Sequence, residues 1–267
     1  MKYEKLILCI LLVLGGGAVA EEQQSPSDWH FVGNVAYTSR SLDGTIVDKS
    51  DLSSGAFGAL IATGDSMGVD KSHSAMLSLT AQYKRFGFGI NYMPTSFKGE
   101  GYALIGAGVG GGGGIVKTPL STDINISMLL ASSYYNFIQT PKSVFGVGVG
   151  LGQSRLDISI VPDYGNSIVY DGTTPFGFLN LHFSNRYKRF LYGLSVNAIS
   201  AEFGGSYVDF LDYKIDLGYR LFDGKVKGDL IGGYREVNFA VKLDGESEDV
   251  KTDFALSGPF LGIRVIY

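Results

Sequence analysis

Cysteine is almost absent from this chain: Cys9 is the only one. It lies in an apolar stretch near the N-terminus and is not preceded by a small residue, so neither a disulfide framework nor a lipoprotein anchor is expected. Proline is scarce, with 7 residues in 267, which leaves long segments free to pair as strands. After residue 20 no apolar run reaches the roughly 18–20 residues of a membrane-spanning helix. The histidines, His30, His73 and His182, lack the spacing of a metal site, and neither a metal nor a cofactor is expected. Basic charge is also short: the formal net charge is −4 and no basic stripe occurs, which argues against nucleic acid as a partner.

The first 20 residues read as a secretory signal peptide. Met1 to Lys5 is a short basic start, Leu6 to Leu14 is apolar, and Ala18-Val19-Ala20 supplies a small-x-small cleavage site before Glu21. Its removal takes away Lys2, Lys5 and Glu4 and leaves a slightly more acidic chain over residues 21–267, which is expected to form one domain.

What the chain has in abundance is glycine (38), phenylalanine (17) and tyrosine (16), set in alternating segments. Apolar and polar residues alternate around 29–38, 74–83, 86–92, 123–130, 145–152, 179–184, 192–197, 211–221, 226–242 and 252–267. These ten segments predict an all-β, antiparallel, up-and-down transmembrane barrel with its apolar face toward lipid and its polar face inward. An even count puts both termini on one side, expected to be periplasmic. In this reading Ile124, Ile126, Met128 and Leu130 face lipid and Asp123, Asn125 and Ser127 face the lumen. Short turns are expected at Lys84-Arg85, Thr140-Pro141-Lys142, Lys188-Arg189 and Asp223-Gly224, on the side of the termini. Their aromatic neighbours, with Trp29 and Tyr267, form an interfacial girdle. Longer polar loops, at 39–72, 99–119, 161–172, 203–209 and 243–251, face outside. The apolar phase slips near Ser257-Gly258-Pro259 and at Arg235-Glu236, and a β-bulge is expected at each.

The inward charges Asp212, Lys214, Asp216, Arg220, Arg235, Glu236 and Arg264 gather near the closing seam. Their mixed signs favour an ion-pair network over a selectivity ring. Gly146, Gly148, Gly150 and Gly152 make room for bulky neighbours inside a narrow barrel. Gly106 to Gly111 matches a dinucleotide fingerprint but opens no helix, so it predicts no nucleotide site. Residues 52–63, with Ala56 to Ile61 apolar, are expected to fold back as a short helical cap. Asp244, Glu246, Glu248, Asp249 and Asp253 form a solvated acidic loop that is able to bridge divalent cations to lipopolysaccharide.

The last residues, Gly262, Val265 and Tyr267 among them, resemble the C-terminal signal read by the outer-membrane assembly machinery. His182-Phe183-Ser184-Asn185 resembles the His-x-Ser-Asn of outer-membrane lipid A deacylases. That resemblance implies His182 as base and Ser184 as nucleophile in a lipid-modifying hydrolase. The nearest following acid, Glu202, lies beyond a turn, and His182 falls at the wrong end of the barrel for such chemistry. The Asp/Asp and Asp/His pairs of the omptin proteases, another ten-strand group, are not found together. Leu217-Gly218-Tyr219-Arg220, Gly233-Tyr234-Arg235 and Gly258-Pro259-Phe260-Leu261-Gly262 resemble a family of outer-membrane β-barrels of Gram-negative bacteria. The resemblance implies the barrel, the outer membrane and contact with its lipids and lipopolysaccharide. The expectation is a non-enzymatic, monomeric barrel, structural or passing small solutes, and not a general porin. A surface adhesin or receptor is the other reading.

Overall fold

The computed structural model describes residues 29–48, 60–63, 68–109, 112–163, 167–203, 206–243 and 250–267. The expected signal peptide and most of the expected acidic loop and apolar cap lie outside these. The strands are β1 (Trp29–Asp48), β2 (Leu60–Thr63), β3 (Ser72–Tyr83), β4 (Phe86–Val109), β5 (Gly112–Gln139), β6 (Ser143–Pro162), β7 (Ile168–Tyr187), β8 (Phe190–Phe203), β9 (Ser206–Asp223), β10 (Lys227–Leu243) and β11 (Val250–Ile266). Each neighbour pair is antiparallel and β11 pairs with β1, so the sheet closes. The short β2 extends the edge of β1 beyond its pairing with β3, which leaves ten strands around the circumference. At the seam the amide of Phe31 donates to the Tyr267 carbonyl and the amide of Tyr267 donates to that of Phe31, both at 2.9 Å.

All four short turns gather at the end that carries Trp29 and Tyr267, as their spacing predicts. Lys84 and Lys188 hold the same left-handed turn, with φ of 53° and 56°. Each ammonium lies over the ring before it, at 5.3 Å from Tyr83 and 5.5 Å from Tyr187.

A tilted strand needs only about 9–11 residues to cross a bilayer, yet β4 and β5 run for 24 and 28 residues. The exterior divides accordingly. Near the turn end it is a belt of exposed Phe31, Val35, Leu79, Phe88, Ile90, Val149, Leu151, Leu179, Leu217, Leu261 and Ile263. Beyond the belt the outward positions become polar, as in Asp123 and Asn125 on β5 and Gln153, Arg155 and Asp157 on β6. The interior changes in the opposite sense. Below the belt's upper edge it carries Asn34, Ser78, Asn91, Ser132, Asn180, Asp216 and Arg264. Above it stand Phe97, Leu120, Ile124, Ile126, Leu156, Ile158, Ile160, Phe176, Phe210, Val237, Phe239, Phe254 and Leu256, all buried.

The structure corrects five expectations. Ile124, Ile126, Met128 and Leu130 point into the barrel, not toward lipid, and Asp123, Asn125 and Ser127 point out. There is no bulge at Ser257-Gly258-Pro259: the pairing of β10 with β11 runs unbroken, and Phe254, Leu256 and Phe260 share the inner face with Arg264. The apparent slip is the level at which the inner face changes from polar to apolar. Arg235-Glu236 is likewise unbulged, so Glu236 stays on the outer face, where the Tyr213 hydroxyl donates to it. The bulges fall instead at Asn136/Ile138 and Gly228/Asp229, beside the turns. Finally, most of the presumed loops are strand: 39–48, 99–109, 112–119 and 206–209 all pair. Outside lipid a pleated strand keeps its hydrogen bonds but no longer needs an apolar outer face. Leu60–Thr63, expected in a helical cap, is strand β2. Gly106–Val109 pairs with Gly112–Ile115 as a plain hairpin.

Candidate functional site: the lumen and its closure

The lumen is a sequence of layers, each built by side chains that alternate inward from several strands. Nearest the turns, Arg220 bonds Asp229 from the adjacent strand and Asp223 at 2.8 Å. Within this layer one nitrogen of Arg220 and one oxygen of Asp229 are buried without a partner. Arg186, also inward, has Arg220, Asp229, Asp223 and Arg264 as its charged neighbours, and its buried Nε has no partner.

One layer up, Asp216 accepts from Lys214 at 3.2 Å and from Arg264 at 3.1 Å. Arg264 also donates to the Asn34 amide oxygen at 3.1 Å, and Asn34 donates to Ser78 at 2.6 Å. This ties β9, β11, β1 and β3 together across the seam.

The third layer lies just below the apolar core. Arg235 holds Asp212 in a fork, with Nε on one oxygen and a terminal nitrogen on the other, both at 2.7 Å. That bidentate geometry is the strong form of the pair. Arg40 sits beside it without a carboxylate of its own among the described residues. It donates to Thr38 at 3.2 Å and Thr95 at 2.9 Å. Both guanidiniums approach the Met76 sulfur, Arg235 at 2.9 Å and Arg40 at 4.0 Å.

From Asp212 an amide chain runs around the wall. Asn197 donates to Asp212, and Asn180 donates to Asn197, both at 2.7 Å. His182 Nδ1 meets the Asn180 oxygen at 3.1 Å and Nε2 meets the Asn136 oxygen at 2.8 Å. A neutral imidazole has one donor and one acceptor, while both contacts are acceptors as placed and the Asn136 amide nitrogen is buried without a partner. Turning the Asn136 amide over gives the imidazole one donor and one acceptor and leaves the amide oxygen as the buried, unpartnered atom. Every link then donates toward Asp212. His182 is fully engaged, and its bonds go to Asn180 and Asn136, not to Ser184.

Above this layer the rings of Phe176, Phe178, Phe210, Phe239 and Phe254 stack across the bore. Phe176 lies 4.7 Å from Phe210 and 5.5 Å from Phe239, and Phe239 lies 5.6 Å from Phe254. Such contacts add about 0.5–1.5 kcal/mol each beyond area burial. Lower in the wall, where Gly148 pairs with Asn180, an added Cβ on that inward glycine would collide with the Ser133 carbonyl and the Tyr134 side chain. Backbone cannot step aside, so Gly148→Val is expected to lower stability by about 1–3 kcal/mol. The urea midpoint of the detergent-folded barrel measures this.

The structure thus brings Asp212, Asp216, Lys214, Arg220, Arg235 and Arg264 into paired layers, and sets Glu236 outside them. Sequence reading missed Arg40, because it placed that residue in a loop. Its signal was the inward set Asn34, Ala36, Thr38, continued by two residues. Arg186 and Asp229 lay at strand ends and drew no attention. Val265 and Tyr267 of the terminal signal point outward from β11, while Gly262 faces inward against Ala36.

No protein-family model matches the sequence, and no curated protein does. Among solved structures, the outer membrane protease OmpT from Escherichia coli aligns over 92% of this chain and 99% of that chain, with a TM-score of 0.57 at 12% identity. The fold is that of an outer-membrane β-barrel. Neisserial surface protein A aligns over 91% of this chain and 99% of its own, at 16% identity and a TM-score of 0.34. Ail of Yersinia pestis, solved with the heparin analogue sucrose octasulfate, aligns over 89% and 99%, at 8% identity and a TM-score of 0.36.

Proposed function

We propose that this chain is an integral protein of the Gram-negative outer membrane. Its termini and short turns lie on the periplasmic side, and its barrel is stoppered and passes no general flow of solute. The observation that carries this reading is the buried apolar core that fills the bore above the Asp212 layer. Water and ions crossing that region would leave most of their hydration among phenylalanine and isoleucine side chains, a cost that the few buried hydroxyls there, such as those of Thr122 and Ser154, do not repay. The apolar belt supports the membrane location, since a continuous exposed surface of this kind is unstable in water. The C-terminal resemblance agrees with it, and with recognition of Tyr267 during assembly. Lipids and lipopolysaccharide then contact the belt and the polar collar above it. The likeness to a protease is one of fold, and among the described residues His182 is held by two asparagines.

Single-channel recording of the purified barrel in planar bilayers tests the proposal. The expected trace is flat, and large steady conductance would overturn it. A second reading, a surface receptor, draws on the polar far exterior, where Lys98 pairs with Asp123 and Arg155 with Asp157 and Asp171. Deletion of residues 100–118 with unchanged cell-surface binding would remove it.

A further inference from the structure

Below the apolar core the lumen is not filled. A cavity of about 390 Å³ remains, in the size range of ligand pockets. It opens at the turn end, where Thr140, Pro141 and Lys142 form part of its rim. Its charged wall is lopsided. Lys142, Arg186, Lys214, Arg235 and Arg264 line it against one carboxylate, Asp216. The wider lumen has the same bias. Asp212 is spoken for by Arg235, Asp216 by Lys214 and Arg264, and Asp229 by Arg220. Arg186 and Arg40 form no ion pair of their own among the described residues, and the two carboxylates near Arg186, Asp229 and Asp223, are both bonded to Arg220. An unbalanced cation in a confined, partly desolvated space is expensive unless something of opposite sign joins it. The Arg186 Nε, buried and unpartnered, is a donor waiting for an acceptor.

We propose that this vestibule is a binding site for a small phosphorylated, hydroxyl-bearing molecule entering from the turn end. Arg186, with Arg264 and Lys214 beside it, takes the phosphate. Guanidinium suits that task, because its planar fork matches two phosphate oxygens. The remaining wall is amide and hydroxyl, with Asn91, Ser132, Tyr134, Asn180 and Ser195 offering both donors and acceptors to a polyol. A neutral sugar lacks the charge that the arginines require, and an apolar molecule leaves the amides unpaired. The site lies on the near side of the core, so binding does not need the barrel to conduct. Its test is therefore independent of the conductance result above.

The experiment is isothermal titration calorimetry of the detergent-folded, full-length barrel with glucose 6-phosphate, inorganic phosphate and glucose. Glucose 6-phosphate is expected to bind at millimolar or lower concentration, inorganic phosphate more weakly, and glucose not at all. Raising the salt concentration should weaken binding. The double variant Arg186→Gln, Arg264→Gln should lose at least tenfold in affinity. Asp216→Asn, which removes the only lining carboxylate among the described residues, should gain severalfold, so the two variants move in opposite directions. The heat-dependent shift of the folded barrel on gels confirms that each variant is folded. Equal binding of glucose and glucose 6-phosphate, no binding by the folded wild type, or unchanged affinity in both variants overturns the proposal.

Discussion

Replacing Asp212 by alanine is expected to lower the stability of the barrel by about 3–5 kcal/mol, the cost typical of breaking a buried ion pair from one side. Asp212 and Arg235 are both buried, and Asp212 is the carboxylate that offsets two adjacent guanidiniums, Arg235 in the fork and Arg40 next to it. Without it, two positive groups face each other across the Met76 sulfur, and the chain of donors that begins at His182 ends on nothing. The matched control is Asp212→Ala with Arg235→Met. This removes charge from both sides and fills the space with an apolar side chain, so most of the lost stability should return. Denaturant midpoints of the barrel reconstituted in lipid decide the matter. A loss below about 1 kcal/mol in the single variant would show that water already reaches this layer and screens it.

The second large effect concerns the stack of rings. Truncating Phe210 to alanine leaves a cavity at the centre of the core and should cost about 3–5 kcal/mol. Phe210 has no exposed surface and touches Phe176, Phe178 and Phe239, so the neighbours have little freedom to close over the gap. Truncating Phe176, Phe210 and Phe239 together removes the stopper itself. The vestibule then continues past Arg40 and Arg235 toward the far end, and discrete current steps are expected in planar bilayers where the wild type shows none. A folded triple variant that stays silent would mean that Ile124, Ile126, Ile158 and Ile160 close the bore without the rings.

The sequence carried the barrel plainly. Alternation marked the apolar belt residue by residue, and the repeated Tyr-Lys-Arg-Phe turns located one end of it. The far half was misread for one physical reason: alternation reports which face is apolar, not which way that face looks. In β5, Asp123 to Leu130 alternates as cleanly as any segment, yet its greasy face turns inward because its other face meets water. Where a strand passes from one surrounding to the other, as β11 does between Phe260 and Leu261, the pattern slips by one residue while the ladder does not. A bulge and a change of medium look alike in one dimension. The charged layers were legible as a cluster, since Asp212, Lys214, Asp216 and Arg220 share a phase. Which acid met which base was not, because pairing depends on stagger between strands. Glu236 was assigned to the wrong face because a bulge was expected beside Arg235, where the ladder runs unbroken.

The aromatic stack has a kinetic meaning as well. Phe176 belongs to β7, Phe210 to β9, Phe239 to β10 and Phe254 to β11, so no hairpin alone buries these rings. Phe210, Phe239 and Phe254 pair directly across β9, β10 and β11, but they are covered only when Phe97 on β4 and Ile126 on β5 close over them, late on the route to the native state. Contacts formed after the rate-limiting barrier slow escape rather than speed arrival. Once sealed, this cylinder should come apart very slowly, and its persistence in the cell would rest on that reluctance more than on equilibrium.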